Sequence, residues 1–276
     1  MSAHDATERE AELTRLAALS AGDYETERRA AASRLGMRLA ALDEEVKRRR
    51  AALSGDEADA FPDWKIEPWP EPVEVDALLD ELVGLFRRFS VLPEGAVEAL
   101  ALWTLHAWAH DAAFHSPILA LTSPQMRCGK TTVLALLARL TPRPLMASNI
   151  TGPVIYRAVE KWEPTFLIDE ADTFFGTDDA IRGILDSGHR RDGAYVVRNV
   201  TDSFEPRRFR TWCPKAVAKI GALAATLADR SIIIPLRRKT PHERTETLAT
   251  AFDGDFLAPR RRAARWSADA VDRLRG

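Results

Sequence analysis

Cysteine is scarce in this sequence: 276 residues hold only Cys128 and Cys213. Two thiols cannot build a disulfide framework, and these lack the paired spacing of a zinc site, so both are read as reduced thiols. Long apolar runs are missing too. The nearest candidate, around residues 96–114, is interrupted by Glu98, His106, His110 and Asp111, which fits a buried helix and excludes a membrane span. The N-terminal stretch MSAHDATEREAELTRL has no basic start followed by an apolar core. A secretory signal is thereby excluded, and a cytoplasmic protein with no membrane partner is expected. No internal repeat or low-complexity tract breaks the chain.

What remains is the composition of an ordinary globular protein, 46% apolar and 29% charged, enough for one substantial core. The net charge of −2 conceals an imbalance. Residues 205–276 hold 16 Lys or Arg against 8 Asp or Glu, so the rest of the chain carries −10. A basic C-terminal quarter either attracts nucleic acid or is a solvated Arg-rich face.

The chain divides into four stretches. Residues 1–53 are rich in Ala, Leu, Glu and Arg, with Leu13, Leu16, Leu35, Leu39, Leu42 and Val46 at helical spacings and breaks near Gly22 and Gly36. The segment AAASRLGMRLAALDEEVKRRR reads as two helices about Gly36, either a DNA-reading helix-turn-helix or a plain helical hairpin. Residues 54–75 collect prolines and acids without apolar periodicity, the mark of a linker. Its Trp64 and Trp69 suit a partner or the neighbouring core. Residues 76–240 form the core and 241–276 a basic helical tail.

Within the core, helices are predicted over 76–89 and 93–110, after which short apolar strands alternate with helices. Strands are predicted at 118–122, 144–147, 165–169, 194–198, 216–220 and 231–236; helices at 130–140, 152–161, 178–187 and 241–251. Alternation of this kind specifies an α/β fold with a parallel sheet between helical layers.

The chemistry lies in two of these units. In ILALTSPQMRCGKTTVLALLARL a strand runs through a loop into a helix, the order a phosphate cradle needs. The cradle comprises Ser123, Pro124, Gln125, Met126, Arg127, Cys128, Gly129, Lys130, Thr131 and Thr132. Gly129 lets the backbone approach phosphates, and the free N–H groups and dipole of the following helix favour their charge. Lys130 is placed for the β and γ phosphates, the Thr131 hydroxyl for Mg2+, and Thr132 for the α phosphate. Pro124 stands where the usual pattern has a glycine, so the loop is a variant. Cys128 is either an oxidisable thiol beside the phosphates or a small residue in a tight loop.

About 40 residues downstream, the apolar strand of PTFLIDEAD ends in Asp169 and Glu170. Asp169 would hold the metal ion and Glu170 would orient and deprotonate the attacking water, with ATP and Mg2+ as cofactors. A water-activating glutamate argues against small-molecule kinases, which transfer phosphate to a substrate. Loop and acidic pair at this spacing support each other, whereas either alone is a weak signal.

The stretches SPQMRCGKTT, RPLMASNIT, PTFLIDEADTFF, ILDSGHRRDGAYVVR, FEPRRFRTWCPKAVAKIG and TLADRSIIIPLRR resemble the additional-strand P-loop ATPases of the AAA+ and superfamily 3 helicase type. They are similar in particular to P-loop proteins of actinobacteria and their phages and plasmids, described as primase- or helicase-like. DYETERRAAASRLGMRLAALDEEV is similar to the helical region preceding that core. The resemblance implies a three-layer P-loop fold and an ATPase of DNA replication in a mobile element, assembled as a homo-oligomeric ring with a possible replication protein partner. It implies that Arg230 acts as an arginine finger across a subunit interface; the alternative is a surface pair with Asp229 or Glu205. It further implies that His189, Arg190, Arg191 and Arg198 contact DNA on a hairpin between the Asp-Glu strand and the next. Where the AAA+ class keeps a polar sensor, this chain has Ile220, Gly221 and Ala222, leaving Thr211 or Lys215 as stand-ins. Arg260, Arg261 and Arg262 are the candidates for a lid sensor.

Two other functions compete with a DNA motor: a nucleotide-dependent switch or loader, and a site-specific DNA-binding protein with a regulatory ATPase core.

Overall fold

The computed structural model describes residues 3–275 apart from 20, 55–63, 149, 172–178 and 200–204. The chain separates into two compact units, Met1–Trp64 and Lys65–Gly276.

The first unit is three helices, α1 (Ala3–Ala18), α2 (Ala21–Arg34) and α3 (Leu39–Ser54). Leu13, Leu16, Ala31, Leu42 and Val46 bury together at its centre. The α2–α3 turn needs a left-handed residue, and Gly36 supplies it at φ +62°. Arginines of this unit face acids of the same unit: Arg28 pairs with Asp43, Arg34 with Glu12, and Arg49 with Glu10 and Glu45.

The second unit is built on a five-stranded parallel sheet in the order β2-β3-β6-β1-β7. Its strands are β1 (Ile118–Ser123), β2 (Pro144–Ala147), β3 (Thr165–Ile168), β6 (Lys215–Ile220) and β7 (Ser231–Pro235). Side chains alternate between two cores because successive strand residues point to opposite faces. Leu119 and Leu121 of β1, Leu167 of β3 and Ala218 of β6 meet α4 (Val75–Phe89), α5 (Ala96–Trp108) and α6 (Lys130–Leu140). Ile118 and Ala120 of β1, Phe166 and Ile168 of β3 and Val217 of β6 meet α7 (Gly152–Trp162) and α8 (Asp179–Ser187). The result is the three-layer α/β arrangement expected of a P-loop core, with β6 inserted between the loop-bearing β1 and β3. In α4, Leu78, Leu82, Leu85, Phe86 and Phe89 make one buried stripe at helical spacing.

Several expectations change. The strand expected at 194–198 is β4 (Tyr195–Asn199), and it pairs antiparallel with β5 (Pro206–Arg210) in a separate hairpin instead of joining the main sheet. No strand is expected at PRRFR, yet Phe209 buries against Tyr156 of α7 and fixes β5 as a strand, with Pro206 at its permitted first position. The helix expected at 241–251 is a strap with one 3-10 turn at Leu248–Thr250. Here tertiary bonds prevail over local propensity: Glu243 accepts from Arg237 and from the Thr240 N–H, and Glu246 N–H donates to the Arg88 carbonyl.

The basic tail is likewise part of the core unit. After α9 (Ala225–Ala228) and the strap, α10 (Gly254–Leu274) buries Phe256, Ala263 and Ala270. Three of its arginines are engaged within the unit. Arg262 holds Glu81 with two 2.7 Å bonds, Arg261 donates to the Glu67 carbonyl, and Arg265 donates to the Pro70 carbonyl. Trp69 lies under the guanidinium groups of Arg261 and Arg262, so the second half of the Pro-rich segment is laid along α10. Among the described residues, no helix is long and apolar enough to cross a membrane.

Candidate functional site

The site forms at the C-terminal end of β1. Two non-helical conformations bend the loop: Arg127 at φ +62° and Gly129 at φ +88°, the residue that caps α6. A left-handed glycine is cheap, whereas a left-handed arginine costs roughly 1 kcal/mol or more and is held by its surroundings. Pro124 replaces the usual glycine without a left-handed turn there. The Ser123 hydroxyl instead closes the bend by donating to the Gln125 carbonyl at 2.7 Å. Lys130, Thr131 and Thr132 then occupy the first turn of α6, which carries no acid that would oppose an anion. Cys128 is buried, with its thiol 3.7 Å from the Met126 carbonyl, in keeping with a small residue filling a tight loop.

The two sequence signals converge in space. Asp169 follows β3, its N–H bound to the Ala147 carbonyl of β2, and its carboxylate accepts from the Thr131 hydroxyl at 2.7 Å. The other carboxylate oxygen accepts the Glu170 N–H at 2.9 Å, and Glu170 sits at φ +53°. The Asp169 carboxylate thus fixes both the threonine of the loop and the backbone of the glutamate beside it. A hydroxyl and a carboxylate side by side are the hard oxygen donors that Mg2+ takes, so this pair fits that ion. Lys130 donates to the Ser123 hydroxyl at 2.7 Å, and no acid neutralises it among the described residues.

A cavity of about 360 Å³ opens beside the loop. Besides residues 127–133 it is lined by Phe89, Ser90 and Val91 from the end of α4 and by Leu236, Arg237, Lys239 and Thr245 from the strap. Sequence reasoning missed this strap wall: Leu236 ends an expected strand, Thr245 falls in the expected helix at 241–251, and the residues between them carry no motif. Arg237 is bound at both nitrogens by Glu243, and that contact, with the Thr240 N–H, holds the Glu243 carboxyl down to about 2. Arg238 donates to the Met126 carbonyl at 3.3 Å and ties strap to loop.

Other expected site residues lie elsewhere. Arg230 precedes β7, and its carbonyl accepts the N–H of Ile118, the first residue of β1. The cradle begins five residues on, roughly 17 Å along the strand. The Arg230 guanidinium donates to the Thr226 carbonyl at 2.7 Å and lies 3.9 Å from Asp186, not against Asp229.

His189, Arg190 and Arg191 are also separated from Arg198. The first three are fixed to the stretch before β1: Ser116 N–H donates to the His189 carbonyl, Arg190 bridges His115, and Arg191 donates to the Asp111 carbonyl. Arg198 is on the hairpin. The exposed face of that hairpin is Tyr195 and Val197 on β4 opposite Arg210 and Arg208 on β5. Arg208 stacks over Tyr195 at 4.8 Å.

Neither proposed stand-in for the polar sensor is near the loop. Thr211 is fully buried and Lys215 opens β6 at the opposite end of the sheet. Lys215 is buried with its amine on the Cys213 and Gly188 carbonyls, and burial pushes its pKa down and that of the Cys213 thiol up. The polar residue at the right height is Lys219, aligned with Thr122 of β1. In the tail, Arg262 is committed to Glu81 and Arg261 to the Pro-rich segment, so the cradle draws no lid cation from them.

No protein-family model and no curated protein matches the chain. Among solved structures it is similar to the A-form apo structure of the NrS-1 C-terminal region, with 14% identity and a TM-score of 0.42. The match covers 75% of this chain and 48% of that one, so the chain spans about half the length of that structure; a likeness this distant carries no functional weight.

Proposed function

We propose that this chain is a Mg2+-dependent ATPase in which Lys130 and the N-terminal amides of α6 hold the β and γ phosphates, Thr131 and Asp169 hold the ion, and Glu170 activates water. The observation that carries this reading is the 2.7 Å Thr131–Asp169 contact. It joins a phosphate-binding loop to the acid of a strand two places away, across an inserted β6. When bound, Mg2+ supplies charge neutralisation at the phosphates; the chain supplies alignment, a fixed lysine and a carboxylate base.

We further propose that the ATPase works on DNA as a ring-forming motor in mobile-element replication. Support comes from the hairpin face, where Tyr195 offers a stacking ring beside the apolar Val197 and Arg208 offers a phosphate contact, a combination suited to a single strand. Support for a ring comes from Arg230, which lies too far from its own cradle to serve it and so requires a neighbour. The sequence-specific alternative loses ground because Arg28, Arg34 and Arg49 of the helical unit are paired with acids.

The test is phosphate release from Mg-ATP with and without single-stranded DNA, beside a Lys130→Ala control. Hydrolysis abolished by that substitution and raised several-fold by DNA supports the motor. Hydrolysis indifferent to DNA, with oligomer size changing on ATP binding, supports a switch or loader. Equal turnover in the control removes the ATPase reading.

A further inference from the structure

Two cavities meet along the strap. The first, beside the loop, is lined by the cations Arg127, Lys130, Arg237 and Lys239 and, among the described residues, by no acid. The second, of about 390 Å³, lies against the α4–α5 connection and shares Ser90 and Val91 with the first. Its charged lining is Arg87, Glu94, Glu98, Glu243 and Arg244. Arg237 therefore lines the loop cavity, while Glu243, the acid that neutralises it, lines the other one.

Other contacts pin the strap without using this pair. Leu236 N–H donates to the Thr122 carbonyl, Arg238 to the Met126 carbonyl, and Glu246 both accepts from the Arg88 side chain and donates its N–H to the Arg88 carbonyl. Between these points Glu243 closes a turn by itself: its carboxylate accepts the Thr240 N–H at 2.6 Å, and its own N–H donates to the Thr240 carbonyl at 3.1 Å. Neither bond involves Arg237, so the turn does not depend on the guanidinium. Arg237 donates to the two Glu243 carboxylate oxygens at 2.8 and 2.5 Å. Its side chain is 59% exposed, and an ion pair in contact with water is weak enough for another anion to displace.

We infer that Arg237 is a further polyphosphate-binding residue of the cradle, held in reserve by Glu243, which competes with the phosphates for it. This assignment rests on the phosphate-cradle reading and adds a regulation of that site. A guanidinium fork takes a carboxylate and a phosphate by the same two-pronged geometry, so one anion replaces the other on Arg237. The exchange keeps the arginine paired throughout. Once released, Glu243 stays on Thr240, in the wall that also holds Arg87 and Arg244. Occupancy of the cradle is thereby passed to the second cavity as an uncompensated negative charge, and departure of the polyphosphate restores the pair.

The test titrates the full chain, its Glu243→Gln and Arg237→Met variants and the double variant with inorganic tripolyphosphate in Mg2+, by calorimetry, with thermal melts to verify folding. Glu243→Gln should bind roughly fivefold more tightly than the wild-type chain, the worth of freeing one exposed ion-paired guanidinium. Arg237→Met should bind more weakly, and adding Glu243→Gln to it should restore nothing, because no guanidinium is left to release. A gain of the same size in the absence of Arg237 would trace the effect to the general field of Glu243 and overturn the assignment. Equal binding by the wild-type chain and either single variant would overturn it as well. Failure of tripolyphosphate to bind the wild-type chain and Glu243→Gln alike would instead remove the cradle reading itself.

Discussion

Glu170 and Arg127 share a property that composition does not show: both are left-handed without being glycine, at φ +53° and +62°. Two such residues on either side of one acid–threonine contact indicate a site where geometry is held against local preference. For Glu170 the Asp169 carboxylate does the holding, through the backbone N–H, and on the proposed reading the glutamate side chain acts on water. Glu170→Gln keeps that backbone bond and removes the base. ATP affinity should therefore stay within about twofold while turnover falls by at least a hundredfold. Parallel binding and single-turnover measurements check this, and matching losses in both would assign Glu170 to binding. A second residue-scale test concerns the far end of the sheet. A Cβ on Gly188 would come within 2.2 Å of the Lys215 amine and 2.5 Å of the Thr211 carbonyl. The lysine can yield but the carbonyl cannot, so Gly188→Ala should destabilise the fold by about 2 kcal/mol in chemical denaturation. An unchanged midpoint would show that the turn relaxes freely.

At the scale of elements, the junction of α5 with β1 carries an acid sensitivity. His106 and His110 both meet the Ser116 hydroxyl, at 3.3 and 3.0 Å, and Trp212 stacks on His110. Burial lowers His106 to about 4 and His110 to about 2, with His106 and Lys215 adding to the burial effect on His110. Both are neutral in the fold and near 6.5 in the unfolded chain, so below 6.5 the unfolded chain binds more protons. Stability is therefore whole above pH 6.5 and is lost as pH falls toward 4, by up to about 1.4 kcal/mol per pH unit for each histidine. Urea unfolding between pH 7 and pH 5 should show this slope, and His110→Gln should reduce it by about half. A slope appearing only below pH 4.5 would place the effect on carboxylates such as Glu12, which its Arg15 and Arg34 partners hold down to about 2.

At the scale of the molecule, Arg230 and the cradle occupy opposite ends of one parallel sheet. A strand direction shared by β1 and β7 keeps the Arg230 guanidinium away from its own cradle, so the proposed finger role needs a second copy of the chain. Arg230→Ala and Glu170→Gln chains should each hydrolyse little alone. Mixed, they should recover a quarter or so of wild-type activity, since an intact cradle then meets an intact arginine from its neighbour. Absence of recovery across mixing ratios, or full activity of Arg230→Ala alone, would sink the shared site.

The sequence by itself determined the chemistry that is local. A strand, a bent loop and a helix beginning with Gly129-Lys130-Thr131 are contiguous residues, and the apolar run ending in Asp169 is another such unit. Alternation of apolar strands with amphipathic helices likewise required a layered parallel sheet. Three features were decided only by tertiary structure. The hairpin required Phe209 to find Tyr156, a contact between residues far apart in the chain that outweighs the three arginines flanking it. The strap remained extended because Arg88, Thr122 and Met126 offered its polar groups partners that a helix would have forgone. And Arg261, Arg262 and Arg265 of α10, which read either as a face for nucleic acid or as solvated surface, were claimed by Glu81 and by the Pro-rich segment. In each case a charged or polar segment carries no periodicity that fixes its conformation, and its place is set by where its hydrogen bonds can be satisfied.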